Sequence, residues 1–164
     1  MAGRETLTVI RLNGRCMGES YFRGHVTQRG IVFGPDGDVL LVTSGLRPWT
    51  FPGGRIETDA DPEAALRRTL YERVGLHTTV EEPVKTVTDI WGSGDEPVYA
   101  VLYRVQARSR NVELGEEHDD FCWYTPDGAI EEMHFKSLEQ AVERAVTNHE
   151  TAEWTAETGE PDGE

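Results

Sequence analysis

The stretch FPGGRIETDADPEAALRRTLYERVGL, residues 51–76, holds the side chains best suited to chemistry. It reads as a glycine-rich turn, a capped helix and a glycine that stops the helix. Within it Thr69, Glu72 and Arg73 fall one helical turn apart and share a face. A hydroxyl, a carboxylate and a guanidinium on one face admit two chemistries. Carboxylates clustered there would hold a hard divalent cation such as Mg2+, which wants oxygen ligands in a near-octahedral shell. A guanidinium there would meet a phosphate through charge-assisted hydrogen bonds. Glu72 is the one carboxylate in the second half of the helix, and Arg67, Arg68 and Arg73 surround it. A cation within ~4–6 Å of Glu72 would disfavour Mg2+ and hold Glu72 ionised as an ion-pair partner. Arg73 is one candidate for that partner. Arg68, four residues before Glu72, is another. Arg67 reads as plain polar helix face.

The elements that must position these groups are legible on either side. Asp61 suits an N-cap, Pro62 the first helical position and Gly75 a left-handed C-terminal stop, so a helix is expected over 61–74. Leu66, Leu70 and Val74 form its buried stripe. Upstream, HVTQRGIVF (25–33) and residues 39–42 read as strands joined by the turn Gly34-Pro35-Asp36-Gly37-Asp38, a hairpin. Residues 44–54 read as a loop carrying Pro48, Trp49 and Pro52. Downstream, strands are expected over 84–91 and 98–107, joined by Gly-Ser-Gly-Asp-Glu-Pro, then a short strand over 121–124 and a short helix from Thr125-Pro126. Leu138, Ala141, Val142 and Ala145 give one apolar face to a last helix over 137–148. Residues 7–12 could form a further short strand before a turn at Asn13-Gly14. The order of strands, helix, strands and helix predicts an α+β or α/β sandwich. The expected division is an N-terminal extension (1–24), a domain (25–149) and an acidic, disordered tail (150–164) with six acids and no base.

The 164 residues suit one domain with a full core. A formal net charge of −14 argues against nucleic acid polymers and anionic membranes as partners. Two lysines against fourteen arginines, with so many acids, resemble the composition of proteins from salt-accumulating cytoplasms; a GC-rich genome would explain the arginine but not the acidity. Cys16 and Cys122 are far apart, without metal-ligand spacing, and read as free thiols in a reducing cytoplasm. The start, MAGRETLTVI, has no long apolar run, and nothing approaches the ~20 apolar residues of a membrane span. The expected location is cytoplasmic.

Residues 54–76 resemble the Nudix box, G-x5-E-x7-R-E-U-x-E-E-x-G-U with U aliphatic. Gly54 opens the match, Arg68 falls on the box arginine, Leu70 on the aliphatic position, Glu72 on one of the two adjacent acids, and Gly75-Leu76 on the closing pair. The lead-in Trp49-Thr50-Phe51-Pro52-Gly53-Gly54 and the later EEHDDFCWY segment also resemble the family, so the likeness spans about residues 25–149. Three acidic positions depart: Ala60, Thr69 and Arg73 stand where the box has glutamates. The resemblance implies a Nudix-type α/β/α sandwich with a central mixed sheet, one helix on each face. It also implies a divalent metal, chiefly Mg2+, although the three departures argue against its binding here. The ligand implied is a nucleoside diphosphate linked to another group. A homodimer is compatible with the family.

Two functions follow from the resemblance. In the first, the chain is a Nudix-type pyrophosphohydrolase of weak or altered activity. Glu72 and Glu117 are then its catalytic residues, with Glu57, Glu72 and Glu117 as a reduced metal set. Glu117 belongs to the acidic run Glu116, Glu117, Asp119 and Asp120, which otherwise reads as a solvated loop. In the second, the chain binds a nucleotide or phosphate ligand without cutting it. Gly54, Arg55, Arg68 and Arg73 then form the ligand site, with Arg73 supplying the charge of the absent metal. An interaction domain without a small ligand is a weaker third. Trp49, Phe51 and Trp91 read either as packing residues or as walls for a nucleobase. His25, His118 and His134 lack metal spacing and read as surface or hydrogen-bonded residues.

Overall fold

The computed structural model describes residues 21–45, 47–89 and 97–158. Among the described residues nine elements follow one another: β1 (His25–Phe33), β2 (Val39–Thr43), β3 (Gly53–Arg55), α1 (Pro62–Val74), β4 (Thr78–Asp89), β5 (Val98–Ala107), β6 (Asp120–Tyr124), α2 (Pro126–Glu132) and α3 (Lys136–Thr158). The strands make one mixed sheet in the order β4-β5-β1-β2-β6, with β3 paired to the start of β1. The β1–β5 pair is parallel, from His25 opposite Val98 to Phe33 opposite Gln106; the other pairs are antiparallel.

Alternation along the strands divides the core between two faces. Val32 of β1, Leu40 and Val42 of β2, and Tyr103 and Val105 of β5 pack with Leu66, Leu70 and Val74 of α1. Ile31, Phe33, Val39, Leu41 and Leu102 face the other way, onto Ala129 and Met133 beside α2 and onto Leu138, Ala141, Val142 and Ala145 of α3. The result is the expected α/β/α sandwich. Each apolar side chain removed from water at these positions contributes about 1.5–3 kcal/mol.

Arg104 of β5 is the exception in that core, 1% exposed. Its Nε donates to the Ala145 carbonyl at 3.2 Å, its Nη1 to Glu81 at 2.7 Å, and its guanidinium lies 4.4 Å from the Phe33 ring centre. A buried charge is tolerable only when paired and hydrogen-bonded in this way.

Several boundaries differ from the sequence expectation. Gly53–Arg55 is a short strand rather than loop, because its backbone pairs with Thr27, Gln28 and Arg29. A Cβ on Gly53 would lie 2.0 Å from the Gln28 carbonyl oxygen, so only glycine permits that approach. The β4 strand begins at Thr78, six residues before the expected start, running through Pro83 with register shifts on both sides of it. Proline is admitted because β4 is the sheet edge. The last helix runs to Thr158, past the end of its apolar stripe, so residues 150–158 are helical backbone rather than coil. Trp91, the turn before Pro97 and the strand and turn expected within 7–14 lie outside the described residues.

Candidate functional site

The glycine-rich lead-in, α1 and the segment before β6 meet at one end of the sheet, around a cavity of about 190 Å³. Gly54 and Arg55 line it from β3, and Glu57 from the loop that follows. Arg68, Glu72 and Arg73 face it from α1, with Ala65 and Thr69 between them, and Glu117 closes it from the segment before β6. All seven residues singled out from the sequence therefore meet in one place.

Local structure fixes that convergence. The Asp61 side chain accepts from the Ala64 N–H at 3.0 Å and starts α1. Gly75 ends it in the left-handed region, φ 70°, with its N–H on the Tyr71 carbonyl. The N–H groups of Glu113 and Gly115 bond to the carbonyls of Val74 and Arg73, tying the later segment to the last turn of α1. Two residues on, the Ser44 hydroxyl donates to the Glu117 carbonyl. The Gly45 N–H donates to Asp119 Oδ2 at 2.5 Å, and the Asp119 N–H to the Thr43 carbonyl at 2.9 Å. Glu117 is thus held between α1 and the end of β2.

The charges are not arranged as an ordinary acidic cluster. Glu72 stands 4.0 Å from Arg68, both well exposed, a pair of small energetic weight. Arg73 does not partner Glu72, and no acid among the described residues lies within ion-pair distance of it. Its guanidinium lies against Gly54, where an added Cβ would meet Nη2 at 3.1 Å and Cζ at 3.3 Å. Close by is a second guanidinium, Arg29 of β1, which donates to the Phe51 carbonyl at 2.8 Å. Burial, and next the charge of Arg73, lower the pKa of Arg29 from the usual arginine range to about 10. The same two cations act on His118: burial first, then Arg73 and Arg29, lower its pKa against the opposing pull of Glu117 and Asp119. Its Nδ1 lies 3.3 Å from the Ser44 hydroxyl.

Magnesium would need oxygen donors converging on one point. Glu57, Glu72, Glu117 and the Thr69 hydroxyl border the cavity, yet among the described residues no three acidic, histidine or cysteine side chains come together closely enough to hold a metal ion. The guanidinium of Arg73 stands among them. Among the described residues the donors are thus not gathered on one point as a divalent ion's shell would be.

The other sequence candidates resolve as packing. Phe51 is fully buried in the core, so it is no ligand wall. Trp49 packs edge-on against Tyr124, ring centres 5.9 Å apart. His134 meets the Glu132 carbonyl at 3.2 Å. Sequence reasoning did not foresee the buried Arg29 beside Arg73, nor the burial of His118. The available signal for Arg29 was an arginine within the otherwise strand-like HVTQRGIVF run.

A loop–helix–loop at the end of an α/β/α sandwich, its charged side chains turned into one cavity, defines a Nudix-type domain. The chain belongs to that family: the NUDIX domain matches residues 24–146. A MutT-like protein from Streptomyces ambofaciens is 27% identical over 109 residues, 66% of this chain and 68% of the relative. The nucleoside triphosphatase NudI of Escherichia coli O139:H28 is 28% identical over 92 residues, covering 50% of this chain and 64% of its own length. In fold, a C. elegans Ap4A hydrolase solved as a binary complex superposes with a TM-score of 0.66 at 17% identity, over 78% of this chain and 98% of that one. Among the described residues, no helix is long and apolar enough to cross a membrane.

Proposed function

We propose that this NUDIX-family chain binds a phosphate-bearing, nucleotide-type ligand in the cavity beside α1, with guanidinium charge in the place of a metal. The observation that carries the reading is Arg73. Its guanidinium lies against Gly54 in the cavity lining and has no acid within ion-pair distance among the described residues. A phosphate in the cavity accepts from Arg73 and neutralises it, with Arg55 and Arg68 lining the same space. The names of the relatives, a nucleoside triphosphatase and an Ap4A hydrolase, support a nucleotide as the source of that phosphate. Hydrolysis is slow or absent, because Ala60, Thr69 and Arg73 stand where the family box has carboxylates.

Glu57, Glu72 and Glu117 border the same cavity, and this favours a second reading, an altered hydrolase working with a reduced carboxylate set. Calorimetry and turnover assays on the full chain separate the two. The binding reading expects inorganic pyrophosphate and ADP-ribose to bind in EDTA, with no gain from Mg2+. It also expects ADP-ribose hydrolysis well below about 1 s⁻¹, the low end of ordinary enzyme rates. Turnover at or above that rate, abolished by Glu72→Gln, would establish the hydrolase instead. No binding in EDTA would end the guanidinium reading.

A further inference from the structure

The cavity beside α1 carries both signs of charge in equal number: three arginines, Arg55, Arg68 and Arg73, and three glutamates, Glu57, Glu72 and Glu117. Arg68 and Glu72 stand 4.0 Å apart and offset each other. Arg55 and Arg73 then face Glu57 and Glu117. A ligand that is purely anionic meets two repelling carboxylates there, and a purely cationic one meets two repelling guanidinium groups.

The two signs are also held apart. The Arg73 guanidinium lies against Gly54 of β3. Glu117 lies at the other end of the arginine, over the last turn of α1. A Cβ added to Gly115 would meet Glu117 Oε2 at 3.1 Å, the Glu72 carbonyl oxygen at 2.9 Å and the Arg73 Cα at 3.5 Å. The poles are therefore separated by the length of one arginine side chain.

The backbone adds a second acceptor at the negative pole. A helix leaves its last four carbonyls without partners inside the helix. In α1 those of Tyr71, Arg73 and Val74 accept from the N–H groups of Gly75, Gly115 and Glu113. Among the described residues no backbone N–H is bonded to the fourth, that of Glu72. This carbonyl and Glu117 Oε2 flank the space that Gly115 leaves by having no side chain. A helix C-terminus favours positive charge. An ammonium, with three donors and no acceptor, pairs with two separate oxygens that are too dispersed for a metal shell.

Resting on the phosphate reading above, we infer that the ligand is a zwitterion whose phosphate group carries a primary amine on a short linker. The phosphate meets Arg73 and Arg55 at the Gly54 end. The ammonium donates to Glu117 Oε2 and to the Glu72 carbonyl at the Gly115 end. The cavity's size agrees: about 190 Å³ is below the roughly 300–1,000 Å³ of drug-sized sites and suits a short aminoalkyl phosphate.

O-Phosphoethanolamine and propyl phosphate are matched probes, since a methyl group in the second replaces the ammonium of the first. Both are titrated calorimetrically into the full-length chain in EDTA, with inorganic pyrophosphate as the reference anion. Phosphoethanolamine is expected to bind at least about tenfold more tightly than propyl phosphate, the yield of one hydrogen bond between charged groups. Glu117→Gln keeps the shape of the side chain and removes its charge, so it should bring the two probes within about twofold of each other. Glu117 is exposed, and retained pyrophosphate binding reports that the variant is folded. Should Glu117→Gln bind none of the three, Glu117→Ala decides by the same ratio. The inference is overturned if the two probes bind the unaltered chain equally, if neither binds while pyrophosphate does, or if the folded variants keep the preference. In each of these cases pyrophosphate still binds and the phosphate reading survives. If pyrophosphate does not bind the unaltered chain, that reading itself fails and the inference falls with it.

Discussion

Arg73→Met separates a ligand-binding guanidinium from a structural one, because the two roles predict opposite effects. Methionine keeps an unbranched apolar stem of similar reach and removes only the charge. No ion pair to an acid among the described residues is lost, so the folded chain forfeits little. Arg29 is relieved of a neighbouring cation, and its pKa should rise above about 10, with burial still holding it below the usual arginine range. The melting temperature is therefore expected to stay level or to rise. Phosphate binding should move the other way. A hydrogen bond to a charged group is worth about 1.5–3 kcal/mol, so pyrophosphate affinity in EDTA should fall about 10- to 150-fold. Differential scanning fluorimetry and calorimetry on the same preparation read both quantities. A drop of about 4 °C or more, roughly 1 kcal/mol for a domain of this size, with pyrophosphate affinity unchanged, would refute the reasoning. Arg73 would then be a structural residue.

Four further outcomes are expected. The lowered pKa of His118 means that the folded chain keeps it neutral where the unfolded chain, with an ordinary value of 6.5, takes up a proton. Stability should therefore fall as pH drops from 6.5 through the folded pKa, and urea melts at pH 7 and pH 5 should show a smaller loss for His118→Gln. Gly53→Ala should destabilise by more than about 4 kcal/mol, since its Cβ would strike a strand carbonyl at 2.0 Å; circular dichroism melts measure this. Thr69→Glu combined with Arg73→Glu returns two carboxylates to the α1 face, and a phosphate-release assay should show a gain in Mg2+-dependent hydrolysis over the unaltered chain. With a net charge of −14, the melting midpoint should climb between low and molar KCl as self-repulsion is screened; an unchanged midpoint would argue against salt adaptation.

Local signals carried most of the architecture. Asp61, Pro62 and Gly75 marked the limits of α1 because caps act within one turn of the chain, and the Leu66, Leu70 and Val74 stripe named the face it buries. The features missed depend on partners distant in sequence. Gly53–Arg55 is a strand only because β1 lies beside it, and Pro83 sits in a strand only because β4 has an open edge. The α3 extension carries no apolar stripe to announce it. At the site, the motif spacing brought seven residues to one cavity, but it held no information on pairing. That Glu72 faces Arg68 while Arg73 turns to Gly54 and Arg29 follows from side-chain directions across two elements.

The ties of Arg104 have a consequence for how the chain is made. On the ribosome, β1 to β6 and α1 are complete by residue 124, before any of α3 has been synthesised. Until residues 136–145 emerge, Ile31, Phe33, Leu41 and Leu102 lack their main cover, and Arg104 lacks the Ala145 carbonyl. A nascent chain stalled at this point presents an apolar sheet face with a partly satisfied cation in its midst, the kind of surface that chaperones bind. Emergence of α3 is therefore the step that completes this face of the core. Premature stop codons anywhere before residue 145 should yield a product destined for proteolysis rather than a shortened working domain.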